Sequence, residues 1–171
     1  DILKLSIEFR EYDFKKNLEA KTRLCETAER LTEEADVVSA FHQLQKLHQE
    51  YREIGPVAKE LREEVWTRFK NASTIINKRH QDHFEQLKKA ENENLEKKTA
   101  ICEVIESIEY DKLDSYASWN EKTQEIIALQ EQWKTIGYAP QKMNNKIFER
   151  FRAACDNFFT KKADFFKNMR D

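Results

Sequence analysis

Only four residues in this chain belong to the two kinds that punctuate a backbone, and they fall in two places: Gly55-Pro56, and Gly137 followed by Pro140. Tight turns draw on glycine and proline, and strand-rich folds need many turns. A chain of 171 residues with two such places is built of long elements. Its stock of Glu, Lys, Gln, Ala and Leu selects helix over strand. A glycine just past a helix end supplies a left-handed residue at little cost, and a nearby proline suits the first turn of the next helix. Each place therefore predicts a sharp helical hairpin.

Between these marks the apolar residues step by three and four, the mark of one helix face. The expected helices cover about 2–33, 37–54, Pro56 to about Ile108, 116–136 and 140–169. The first buries Phe9, Leu24, Ala28 and Leu31, and the second Phe41, Leu44, Leu47 and Tyr51. The long third helix carries one uninterrupted seam: Leu61, Val65, Phe69, Ala72, Ile76, His83, Leu87, Ala90, then Ile101, Ile105 and Ile108. The fourth offers Trp119, Ile126 and Trp133. The last offers Met143, Ile147, Phe151, Ala154, Phe158 and Met169.

The chain also repeats itself, a signal that decides architecture. Asn17-Leu18-Glu19-Ala20-Lys21-Thr22-Arg23-Leu24-Cys25-Glu26 returns 77 residues later as Asn94-Leu95-Glu96-Lys97-Lys98-Thr99-Ala100-Ile101-Cys102-Glu103. Tyr51-Arg52-Glu53-Ile54-Gly55 returns 82 residues later as Trp133-Lys134-Thr135-Ile136-Gly137, and Trp66-Thr67-Arg68-Phe69-Lys70 as Phe148-Glu149-Arg150-Phe151-Arg152. The offset grows by five near Tyr110-Asp111-Lys112-Leu113-Asp114, which places an insertion in a loop, where added length costs little. Residues 1–16 then read as the tail of a preceding repeat, 17–93 as repeat one and 94–171 as repeat two. The opening Asp1-Ile2-Leu3 reads as the interior of a helix in a longer protein. The expected fold is all-α: elongated tandem three-helix units with spectrin-like antiparallel coiled-coil packing and long shared helices.

The net charge of −2 gives no bulk attraction to polyanions. No apolar run nears the roughly 20 residues that span a bilayer, so no membrane role is expected. Cys25, Cys102 and Cys155 are odd in number and widely spaced. This pattern suits neither a disulfide framework nor a zinc site, and a reducing cytoplasmic setting fits.

Candidate chemistry is sparse. His80 and His83 share a helix face as half a metal site would, but Lys162 and Phe165 replace them in the second repeat, which favours a packed and solvated pair. Cys25 and Cys102 lie in helical stripes, as small buried residues do, with no base beside them. No Gly-rich phosphate loop, Ser-His-Asp signature or cofactor motif is present, and no small-molecule substrate is implied. Asn17 and Asn94 are polar positions on an apolar line, a register-setting device in coiled coils. Arg68, Lys70, Arg150 and Arg152 begin basic helix stretches in a chain whose first 66 residues are acidic overall. That surface either tracks nucleic-acid phosphates or pairs with the acidic helices of the same chain.

Asn94, Leu95 and Lys98, then Trp133, Lys134, Ile136 and Gly137, then Phe148, Arg150, Phe151, Arg152, Ala154, Asp156, Phe158 and Phe159 form a pattern. It resembles the bacterial family called domain of unknown function 349. The first copy is looser, with Tyr51, Arg52 and Ile76 in place of Trp133, Lys134 and Phe158. The resemblance implies a helical multi-repeat protein and no established activity. The resulting expectation is a non-catalytic spacer or scaffold that binds an unknown protein partner or copies of itself. A nucleic-acid or ribosome-associated binder acting through Arg68 and Arg150 is the alternative.

Overall fold

The computed structural model describes residues 1–170. Five helices account for nearly all of it: α1 (Ile2–Leu31), α2 (Val37–Glu53), α3 (Lys59–Glu106), α4 (Tyr116–Thr135) and α5 (Gln141–Arg170). One 3-10 turn covers Tyr110–Lys112, and there is no strand among the described residues. The helices fall within a few residues of their predicted bounds, and α3 is continuous through residues 90–98. By contacts the chain divides into two compact units, Asp1–Glu85 and the chain from Gln86 onward.

In the first unit, Cys25, Ala28 and Leu31 of α1 meet Ala40, Leu44, Leu47 and Tyr51 of α2 and Val65, Phe69, Ala72 and Ile76 of α3. In the second, Ile101, Cys102 and Ile105 of α3 meet Trp119, Ile126 and Trp133 of α4 and Ile147, Phe151, Ala154, Cys155 and Phe158 of α5. Leu44, Phe69, Ile76, Ile105, Ile126 and Phe158 are fully enclosed. Burying a side chain of this size contributes about 1.5–3 kcal/mol, so these positions carry the fold.

The connections are closed by side chains. Asp36 caps α2 by accepting from the Ser39 amide at 3.0 Å, and Ser115 with Ser118 forms a capping box at the start of α4. Arg79 donates to the carbonyls of Thr32 and Glu34 at 2.8 and 2.7 Å, tying down the loop after α1. The second unit carries the predicted insertion at this point. There the 3-10 turn sets Tyr110 against Trp119 and Phe158, and Trp119 donates its indole N–H to the Leu113 carbonyl at 2.9 Å. Lys161, which follows Arg79 at the repeat offset, lies over the Tyr110 ring at 4.5 Å.

The expected seam on α3 is corrected. The helix is unbroken, but the burial is not: every residue from Gln81 to Ala90 is exposed, including Phe84 and Leu87. The buried faces end at Ile76 and begin again at Lys98 and Ile101. A helix keeps its apolar spacing whether or not another element covers it, so periodicity alone overstated the core. Phe9 (67% exposed), Met169 (53%) and, at the margin, Met143 and Leu61 also lie outside the cores they were expected to join.

Candidate functional site

Four positions spaced by four residues recur on α1 and α3: Asn17, Lys21, Cys25 and Glu29, matched by Asn94, Lys98, Cys102 and Glu106. This spacing sets all four on one helix face. Each makes the same contact in its own unit. Asn17 donates its side-chain amide to the Pro56 carbonyl at 2.8 Å, and Asn94 donates to the equivalent Tyr138 carbonyl at 3.0 Å. Lys21 lies over the Tyr51 ring at 4.8 Å and Lys98 over the Trp133 ring at 5.1 Å. Glu29 receives a two-bond grip from Arg68 at 2.8 and 2.9 Å, and Arg150 grips Glu106 at 2.7 and 2.9 Å.

The asparagines explain the glycines. Ile54 and Ile136, which end α2 and α4, are extended, with φ of −75° and −86°. No glycine has a positive φ, so the predicted left-handed cap is corrected. A methyl group on Gly55 would sit 2.8 Å from Asn17 Nδ2, and one on Gly137 would sit 3.0 Å from Asn94 Nδ2. Glycine suits both positions because a side-chain amide from another helix passes close over it, and a Cβ there would push that amide aside. The two asparagines predicted to set register hold the interhelix turn of their own unit.

Around each turn the surface opens into a groove. In the second unit it encloses about 390 Å³ and is lined by Lys98, Trp133, Ile136, Asn144, Asn145 and Phe148 among others. The first unit has a groove of about 530 Å³ at the matching place, lined by Lys21, Tyr51, Lys59, Arg62, Glu63 and Trp66. Trp133 stacks on Phe151 with centroids 4.0 Å apart, and Tyr51 on Phe69 at 4.7 Å. Phe148 and Trp66 stay nearly half exposed at the groove edge. Asn144 accepts from the Ala139 amide at 3.2 Å through its oxygen, which leaves its Nδ2 as a donor.

Lys98 is the electrostatic oddity. It is 7% exposed and takes part in no ion pair among the described residues. Its stem is packed away while its ammonium lies over the Trp133 face at the open groove, a contact worth about 0.5–1 kcal/mol at such a site. Partial burial holds the Lys98 pKa below the usual lysine value. Lys21 is lowered too, by burial first and then by the Arg62 charge.

The other predicted residues are not gathered into a site. Arg68 and Arg150 are engaged by Glu29 and Glu106, and Arg152 approaches Asp156 only at 3.9 Å. Lys70 is exposed. His80 stacks on Phe41 with centroids 3.8 Å apart, and His83 meets Phe84 edge to face. All three thiols are buried, and desolvation raises their pKa values, that of Cys102 to about 11. Sequence reading missed the lysine–aromatic pairs and the Glu29 and Glu106 partners. The signal was present: Lys21 and Lys98 recur four residues after the asparagines, a charged residue on a buried line.

No helix among the described residues is long and apolar enough to cross a membrane. No curated protein and no solved structure matches the chain. One family model matches it twice, over residues 4–60 and 64–142, each stretch covering most of one long helix, the following shorter helix and the turn beyond it. The chain belongs to the family described as Domain of Unknown Function (DUF349).

Proposed function

We propose that this chain is a non-catalytic helical repeat module, a spacer and scaffold whose surface binds other proteins in the cytoplasm. The observation that carries the reading is the recurrence, in both units, of an open groove edged by half-exposed aromatic side chains, Trp66 in one and Phe148 in the other. Aromatic anchors beside a pocket are what protein interfaces use for most of their binding energy. The chemistry elsewhere is spent internally. The repeated arginines neutralise glutamates of the same unit, and the buried high-pKa thiols lack the thiolate character a nucleophile needs. Three unpaired cysteines accord with a reducing compartment.

Two measurements test this. A photo-cross-linking residue at position 138, where Tyr138 is 79% exposed, is expected to give discrete protein adducts in cells, and their mass shows whether the partner is another copy. Fluorescence anisotropy with RNA and DNA oligonucleotides is expected to show no binding at moderate salt. Tight, salt-sensitive nucleic-acid binding abolished by charge reversal at Arg68, Lys70, Arg150 and Arg152 overturns the proposal in favour of a nucleic-acid binder.

A further inference from the structure

The groove at each helix turn has a chemistry of its own. On the basis of the protein-interaction role proposed for this surface, we infer that the groove between α3, α4 and α5 binds an acidic side chain of a partner peptide, with the Lys98 ammonium taking the carboxylate and Phe148 taking its apolar neighbour. Three observations meet here. Lys98 is more than nine-tenths buried, makes no ion pair among the described residues and lines an open groove of about 390 Å³. Asn144 fixes its oxygen on the Ala139 amide and keeps its Nδ2 to donate into the same groove. Phe148 and Ile136 supply apolar wall. One lysine with a packed stem and an unpaired ammonium, one amide donor and an aromatic edge match a carboxylate followed by an apolar residue.

A nucleic-acid backbone is the poorer occupant. Its affinity grows with the number of phosphates neutralised. The groove's other lysine, Lys134, is already paired with Glu131 at 3.1 Å. Two lysines, one of them in a solvent-exposed pair, are too few among the described lining residues to hold a phosphate track. The first unit repeats the arrangement. Lys21 lies over Tyr51 beside the half-exposed Trp66, with Lys59, Arg62 and Glu63 also lining the groove, so the same class of ligand is expected there, with two further cations offset in part by one carboxylate.

Trp133 lies under the Lys98 ammonium and reports the event directly. In a chain carrying Trp66→Phe and Trp119→Phe, its emission should change saturably on titration with a blocked Ala-Glu-Phe-Glu-Ala peptide. The effect should be absent with the Ala-Gln-Phe-Gln-Ala control. Lys98→Gln is expected to weaken binding at least tenfold and Lys98→Arg to retain most of it, with circular dichroism showing that both stay helical. Because Trp119 anchors a loop, the parent chain with all tryptophans is titrated alongside by calorimetry, which keeps the test valid if the double variant folds poorly. Equal binding by wild type and Lys98→Gln overturns the assignment of the site. Absence of binding to either peptide overturns it as well, while protein adducts at position 138 would leave the broader reading standing. Tight binding of an oligonucleotide, alike in wild type and Lys98→Gln, sinks both.

Discussion

Asn94 on α3 donates its side-chain amide to the Tyr138 carbonyl at 3.0 Å, 44 residues further along the chain. That bond runs directly over Gly137, where an added methyl would lie 3.0 Å from the amide nitrogen. Gly137→Ala is expected to destabilise by about 1–3 kcal/mol through overpacking. Asn94→Ala should cost about 0.5–1.5 kcal/mol by removing an exposed hydrogen bond whose carbonyl water can then solvate. The double variant should cost less than the sum, since the alanine at 94 makes room for the methyl. A denaturant cycle measures this, and a coupling below about 0.5 kcal/mol would show that the residues act independently.

Arg68 and Arg150 hold the Glu29 and Glu106 carboxyls below the ordinary glutamate range, chiefly by hydrogen bonding. A depressed folded value gives stability that is fully present above the unfolded pKa of about 4.3. That stability is lost as pH falls through the lower folded value. Glu29 is 44% exposed, so solvent screening limits the pair to about 0.5 kcal/mol. Unfolding free energies of wild type and Glu29→Gln from urea titrations should differ by this much at neutral pH and converge in acid. A gap that stays constant below about pH 3 would contradict the assignment.

Residues 81–90 of α3 have no buried side chain. Local opening there sacrifices little packing, so their amides should exchange with solvent faster than those of Ile101–Ile105. Phe84→Ala and Leu87→Ala should change stability by no more than about 0.5 kcal/mol, against about 2–5 kcal/mol for Ile101→Ala. Equal protection along the whole helix would refute the gap in its packing.

The cysteines should be slow toward a disulfide reagent at neutral pH in the native protein. Each is buried, and desolvation pushes Cys102 up to about 11, so little thiolate is present. Unfolding in urea should release fast reaction at all three. A rapid native reaction would place a thiol at the surface.

Helix positions were legible in the sequence because punctuation and periodicity agree: Gly55-Pro56 and Gly137 end one helix each, and the apolar steps fill the spaces between. The ordered insertion at Tyr110–Lys112 was legible as a jump in repeat offset. What the sequence concealed was coverage. Phe84, Leu87 and Ala90 keep core spacing on a stretch that is wholly exposed, and spacing records a face without recording its neighbour. The reason for the glycines was hidden likewise, since a left-handed cap and a close approach demand the same residue. The groove lysines were visible only as repeats. Their importance lies in Trp133 and Tyr51 beneath them, partners 35 and 30 residues away in the chain (133 − 98 and 51 − 21).

Each turn is finished by a donor from a helix that precedes it by 39 or 44 residues. Each turn thus takes one hydrogen bond from outside its own sequence, which links the hairpin to the helix that precedes it. A peptide of α2 and the turn alone lacks both this bond and the core partners of Leu44 and Leu47, and should fray where the intact unit is firm. The asparagines therefore add to the packed core of each unit a link between turn and preceding helix that neither element has alone.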